Sequence, residues 1–357
     1  MLPRVVVIFT FGQRRQHVER ARWRGRRRGE WVKRSVGKKP GSALVVAREA
    51  RSLSFVQAVR LRSPGGWADL VIEEEERPEP AETDVLIEVH AAALTRDELN
   101  WPVDRLPAIP SYEVSGIIAE VGAAVTGFEI GDGAYGLTGF ERDGVAAEFA
   151  AIPADRLAHK PVSLSHVEAS SLPLAGLSAM QGLFDHGRLE PGQRVLIHGG
   201  AGGVGSFAVQ LAKVRGAHVI ASAAGSRVSA AGELGSDEVI DHQEHDFTEV
   251  DPVDLVFDTV GGPRLARSPA VVRPGGRIVS VAERPPMGFG SEEGVESTFF
   301  IVEPNAHQLD ELTRLADEGR LRVLVDSTFS LDRVKEAFQR LQSGNAVGKV
   351  VLTIHDD

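Results

Sequence analysis

One stretch constrains this chain more than any other: Gly200-Ala201-Gly202-Gly203-Val204-Gly205, set between the apolar run Val195-Leu196-Ile197 and the helix-forming run Ser206 to Lys213. A G-x-G-x-x-G pattern means little alone, but here a strand leads in and a helix leads out. The first glycine permits a tight turn, the second lets backbone approach an anion, and the third lets helix and strand pack closely. The helix N-terminus then offers oriented N–H groups to a pyrophosphate. Gly200, Gly202, Gly203, Val204 and Gly205 are therefore read as the phosphate cradle of a dinucleotide site on a Rossmann-type sheet.

The flanking sequence agrees. After Pro191-Gly192, strand and helix alternate: Arg194 to His198, Gly203 to Arg215, His218 to Ala223, Val239 to Asp241, Asp254 to Val260 and Arg277 to Val281. That alternation predicts a parallel, doubly wound sheet. Residues 57 to about 180 read instead as short strands between Gly and Pro turns, such as Asp84 to His90 and Val114 to Gly122, which is antiparallel grammar. From Leu321 the pattern predicts a strand, an amphipathic helix over Leu331 to Ser343 and a last strand over Lys349 to Ile354. Val334, Phe338 and Leu341 recur at helical spacing in that helix and mark a core face.

The second strand of the alternating region bears on the choice of cofactor. A site for NAD usually ends that strand with an acid that binds the ribose 2′-hydroxyl. Here it runs Ala221-Ser222-Ala223-Ala224-Gly225-Ser226-Arg227, with no carboxylate and with hydroxyls and a guanidinium suited to a 2′-phosphate. Arg227 is the only cation in that turn, so the expected cofactor is NADPH, held in part by Ser222 and Arg227.

At 357 residues the chain is long enough for two cores. It has no cysteine, which removes disulfides and thiolate metal sites and makes the reducing cytoplasm the expected compartment. Residues 1 to 40 carry 13 Arg or Lys against Glu19 and Glu30, a net of +11, which leaves -21 for the remainder of a chain whose net charge is -10. So acidic a body repels nucleic acid, and no apolar run reaches bilayer-spanning length. Residues 1 to 55 lack sustained periodicity and are expected to be a disordered basic extension, non-native if translation starts near Val56. The rival reading is a basic arm that binds polyanions.

Several further segments carry a family likeness in order: Gly116 to Gly122, Pro173-Leu174-Ala175-Gly176-Leu177, the Gly200 turn, Leu234-Gly235 through Asp241, Phe257 to Gly262, Pro274-Gly275-Gly276-Arg277 and Gly348-Lys349-Val350-Val351. Over about 300 residues, Gln57 to Ile354, the chain resembles the zinc-independent quinone oxidoreductase branch of the medium-chain dehydrogenase/reductase superfamily. The resemblance implies an α/β fold with a doubly wound Rossmann domain (181–320) inserted in a chaperonin-10-like, mostly antiparallel β domain (57–180 plus 321–357). It also implies cofactor contacts at His242, Thr259, Val260, Ser280 and Val281, Phe299 and Phe300 beside the nicotinamide, and a homodimer joined through Rossmann edge strands.

Zinc-using relatives bind metal through two Cys and a His; the matching places here are Thr95, Tyr112 and Leu174, which offer no such ligands. No metal site is expected. Without a metal to hold an alkoxide, conjugate reduction of an enone or quinone is easier than alcohol oxidation, because charge moves to a delocalised oxygen that hydrogen bonds can stabilise. Thr95 and Tyr112, with Asn100 and Trp101 nearby in sequence, are the candidate pocket residues; Thr95 is suited to bond the substrate carbonyl or nicotinamide ribose and Tyr112 to donate to the oxyanion. The expected function is NADPH-dependent reduction of a small quinone or α,β-unsaturated carbonyl. Rival readings are an NADPH-binding regulatory or structural protein with little turnover, and an enoyl-thioester reductase.

Overall fold

The computed structural model describes residues 54–102 and 104–355. The basic head expected over residues 1 to 55 lies almost wholly outside the described residues.

In chain order the first strands are β1 (Phe55–Leu61), β2 (Leu70–Glu76), β3 (Asp84–Leu94), β4 (Glu113–Val121), β5 (Gly133–Leu137), β6 (Phe149–Pro153) and β7 (Leu157–His159). Helices α1 (His166–Ser170) and α2 (Pro173–Met180) follow, and α2 runs straight into a π-helical turn, Gln181–His186. The alternating region supplies β8 (Arg194–His198), α3 (Gly203–Arg215), β9 (His218–Ala223), α4 (Ser226–Glu233), β10 (Glu238–Asp241), β11 (Val253–Asp258), α5 (Gly262–Arg267), β12 (Val272–Ser280) and β13 (Glu296–Phe299). Last come α6 (Ala306–Asp317), β14 (Val325–Ser330), α7 (Val334–Gln342) and β15 (Lys349–Thr353).

Strands β8 to β13 form one six-stranded sheet in the order β10-β9-β8-β11-β12-β13, with every pairing parallel. Numbered within the sheet this is 3-2-1-4-5-6, the doubly wound order of a dinucleotide-binding domain. Its strands bury both faces, as parallel strands do. Val195 and Ile197 of β8, with Leu255 and Phe257 of β11, enter the cluster that holds Phe207 and Leu211 of α3. Leu196 and Val256, one residue over, enter the cluster on the opposite face with Leu265 of α5.

The second large sheet runs β14-β15-β3-β4-β5-β7, with β6 also paired to β3; β1 and β2 form a separate hairpin. Apart from the parallel β14–β15 pair it is antiparallel. This is a GroES-like β domain beside a Rossmann-type sheet. The closing segment returns to it: β15 pairs with β3, and Val334, Phe338 and Leu341 of α7 are buried against the same core.

Two expected boundaries shift. The strand expected from Leu321 begins at Val325, where pairing with β15 starts, and the helix expected from Leu331 opens as a 3₁₀ turn before Val334. Residue 180 falls inside the continuous α2 and π-helical run. Tyr112 of the β region and Phe207 of α3 share one apolar cluster across it.

Candidate active site

The glycine turn is shaped by what cannot be there. At Gly205 an added Cβ would lie 2.1 Å from the Gly199 carbonyl oxygen, and at Gly200 it would lie 2.6 Å from the Cβ of Ala221. Both positions are closed to any side chain by backbone and strand packing. At Gly202 the nearest atom to an added Cβ is the Gly199 oxygen at 3.2 Å, so this position has more room on the protein side. Gly202 caps the 13-residue α3 without a side-chain hydrogen bond, and the first-turn N–H groups have no partner within the helix. Gly203 and Val204 start that turn, Val204 packing partly on the core. These residues fit a pyrophosphate: bare backbone and a helix dipole with no side chain in the way.

Because the sheet is parallel, β8 to β12 all end on this side, and the other expected cofactor residues gather along that edge. Ser222 is buried, its hydroxyl 3.1 Å from Nδ1 of His198 at the end of β8. Burial, with the charges of Arg264 and His242, holds His198 down to about 3, so it is a neutral strand-end residue. Thr259 donates its hydroxyl to the His198 carbonyl at 2.7 Å, and Val260 is exposed beside it. The Ser280 hydroxyl donates to Asp258 at 2.7 Å and accepts from the N–H groups of Ala282 and Glu283, while Val281 donates its N–H to the Asp258 carbonyl. Arg227 donates to the Gly344 carbonyl at 3.0 Å, and the His242 N–H bonds the Ala223 carbonyl. Phe300 is buried just after β13, stacked on His186 at 4.4 Å, and Phe299 lies under the Arg284 guanidinium.

Thr95 and Tyr112 belong to two separate networks. Thr95 follows β3 and accepts a hydrogen bond from the Lys349 ammonium at 3.2 Å. Lys349, the first residue of β15, is buried and ion-paired with Glu113. The other Glu113 oxygen accepts the Leu174 N–H at 2.9 Å. Glu98 completes the corner, receiving the N–H groups of Thr95 at 2.9 Å and Ser111 at 3.1 Å. Two fully buried carboxylates face one ammonium here. Burial pushes Glu98 up to about 8 and Glu113 above its ordinary value, against the pull of Lys349 on both. Ser111 adopts a φ of 63°, a left-handed conformation that non-glycine residues rarely take, and its hydroxyl is anchored on the Ala93 carbonyl at 2.9 Å.

Tyr112 is fully buried; its hydroxyl accepts from Arg105 at 3.1 Å and its ring packs on Trp101 and Phe140. Asn100, at the end of the 3₁₀ turn Glu98–Asn100, is exposed. Leu174 meets the corner through its backbone N–H. A hydroxyl already held by an ammonium, a buried phenol and a leucine are poor ligands for a divalent ion, and among the described residues no group of three or more His, Asp or Glu side chains converges on a metal position.

Sequence reasoning missed Glu98, Glu113 and Lys349. The available signal was the position of Lys349: a lone cation opening the apolar run Val350-Val351-Leu352. A charge there requires a partner. The corner also touches the cradle. Gly348 bridges to Gly202, its N–H bonds the Ala201 carbonyl at 3.1 Å, and a Cβ at Gly203 would meet the Lys349 chain at 3.1 Å.

Comparison with known proteins agrees with this arrangement. Residues 81–162 match the model of the alcohol dehydrogenase GroES-like domain, and residues 234–352 match that of the zinc-binding dehydrogenase family. The 2-methylene-furan-3-one reductase of Solanum lycopersicum is 36% identical over 295 residues, covering 77% of this chain and 73% of the relative. The NADPH-dependent alkenal/one oxidoreductase of Arabidopsis thaliana is 34% identical over 301 residues, covering 77% and 73%. The solved quinone oxidoreductase of Coxiella burnetii superposes with a TM-score of 0.79 at 31% identity, covering 84% of this chain and all of the other. The chain belongs to the medium-chain dehydrogenase/reductase superfamily, in its quinone oxidoreductase-like branch.

Proposed function

We propose that this oxidoreductase, which uses a nicotinamide cofactor, takes NADPH and reduces a quinone or an α,β-unsaturated carbonyl without a metal. The observation that carries the reading is the junction of the glycine turn with the Thr95–Lys349–Glu113 corner, through the bridge of Gly348 to Gly202 and the Lys349 hydrogen bond to Thr95. The names of the tomato and Arabidopsis relatives support the substrate class, and the latter supports NADPH.

When bound, the nicotinamide supplies a hydride. This chain's part is to place the acceptor and manage the charge that develops on its oxygen. Because Thr95 accepts from Lys349, its own hydroxyl proton stays available to donate to that oxygen. Glu113 keeps the ammonium in place. Tyr112 belongs to the same proposal as a second donor, reached through the Arg105 network. Cofactor contacts are assigned to Gly200, Gly202, Gly203, Val204, Gly205, Ser222, Arg227, His242, Thr259, Val260, Ser280, Val281 and Phe300. The edge strand β13, with exposed Ile301 and Met287 nearby in sequence, suits a homodimer.

Steady-state assays with NADPH and NADH against a quinone and enone panel test the reading. Turnover with NADPH and far weaker efficiency with NADH are expected. Equal efficiencies would remove the NADPH preference, and tight NADPH binding with no turnover on any acceptor would overturn the reductase.

A further inference from the structure

Arg227 was the only cation the sequence offered for a 2′-phosphate, and one of its guanidinium nitrogens donates to the Gly344 carbonyl. A second cation stands on the same edge of the sheet. Beyond the ends of β10 and β11 lies a cavity of about 430 Å³, lined by His242, Glu244, Asp246, Phe247, Arg264 and Arg267 among others. That is the size of a small-ligand site, in the crevice outside the carboxyl ends of parallel strands where ligands of such sheets bind.

The cations in this cavity differ in kind. Arg267 is ion-paired with Asp246 and stacked on Phe247, so its charge already has a partner at the surface. Arg264, on α5, makes no ion pair among the described residues although it is partly buried. Facing it, Nδ1 of His242 is buried without a hydrogen-bond partner. Burial first, and then the positive charges of Arg264 and Arg227, favour the neutral form of His242. An unpaired guanidinium in a concave surface matches a dianionic ester, the fork-shaped donor of Arg being suited to phosphate oxygens, and His242 lines the same surface.

We infer that Arg264, with His242, forms the part of the adenosine site that reads the 2′-phosphate, with Arg227 of α4 as the second cation outside the cavity. The inference rests on the NADPH reading above. Its test uses binding rather than turnover, with the full chain and two probes, adenosine 2′,5′-bisphosphate and 5′-AMP, in titration calorimetry. Removing a charge-assisted contact should weaken the bisphosphate about tenfold or more in Arg264→Gln and leave 5′-AMP within about twofold. Arg264→Lys should fall between, since the charge stays and the fork is lost. The inference is overturned if Arg264→Gln binds both probes as the parent does, or weakens both alike while Arg227→Gln alone loses the bisphosphate preference. A parent chain that binds the two probes equally defeats the NADPH reading itself, which is a different result from either.

Discussion

The glycine cradle and the Thr95 corner meet at Gly348, yet they are built in opposite ways. The cradle is six consecutive residues and almost no side chain. The corner is four side chains, Thr95, Glu98, Glu113 and Lys349, the outermost 254 positions apart, and almost no free backbone. One works by excluding Cβ atoms, the other by burying charge, and they respond to damage differently. The sharpest break comes at Lys349. Lys349→Met leaves Glu113 without its partner in a buried site, where it must stay charged and unpaired or take up a proton, at a cost of up to about 3–5 kcal/mol in urea unfolding at neutral pH. Replacing both partners, Lys349→Met with Glu113→Gln, should recover most of that loss. A single variant with stability within about 1 kcal/mol of the parent would show that water reaches the corner or that Glu113 takes up a proton there.

Glu98 extends the same contrast to pH. Its carboxyl sits at about 8 in the folded chain against an ordinary 4.5. Between those values an unfolded chain has released this proton while the folded chain retains it, so the group lowers stability as pH rises from about 4.5 to 8, and below 4.5 its contribution is fully present. Glu113 is shifted in the same direction. Glu98→Gln removes one titrating group, so its stability relative to the parent should climb by up to about 1.4 kcal/mol per pH unit across that window. Parallel stability curves for the two proteins would mean that Glu98 is ionised when folded. The cradle, made of backbone, contributes no such slope.

Within the cradle, two glycines separate folding from binding. Gly205→Ala forces a methyl to within 2.1 Å of a backbone oxygen and should destabilise by about 1–3 kcal/mol. Gly202→Ala has 3.2 Å of clearance and an extended backbone, φ −80° and ψ −178°, that alanine adopts. It should keep within about 1 kcal/mol of parental stability and still lose dinucleotide affinity, read by quenching of NADPH fluorescence, because its methyl stands where a pyrophosphate needs bare backbone. If Gly202→Ala binds as the parent does, the second glycine serves the turn and not the ligand.

This difference also explains what could be read in advance. The parallel sheet and the strand, glycine turn and helix at β8 and α3 were legible because each rests on local grammar: apolar runs at β8 and β11, alternating with helices, and glycines where backbone crowds backbone. The corner was not, because no local rule joins residues 95, 98, 113 and 349. Thr95 was named through resemblance, while the charges that act on it come from a turn, from the next strand of the sheet and from the far end of the chain. Arg264 is illegible for a related reason: a 2′-phosphate cation is expected beside the second strand, and only the fold brings α5, after β11, to the same edge of the sheet.

Tyr112 gives the finest test of how far the corner extends. Its hydroxyl bonds Arg105 and not Lys349, its ring lies in the apolar cluster shared with α2 and α3, and burial raises its pKa. Tyr112→Phe loses one hydrogen bond and should cost about 0.5–1.5 kcal/mol of stability, with the Arg105 guanidinium free to turn toward solvent. Turnover separates two accounts of the residue. If Tyr112 donates to the developing oxyanion, kcat should fall about tenfold or more while KM for NADPH holds. If kcat is unchanged, Tyr112 is a packing residue that carries Trp101 and Phe140. The polar chemistry then contracts to Thr95 and the ammonium behind it, and a Thr95→Val variant should show the larger loss.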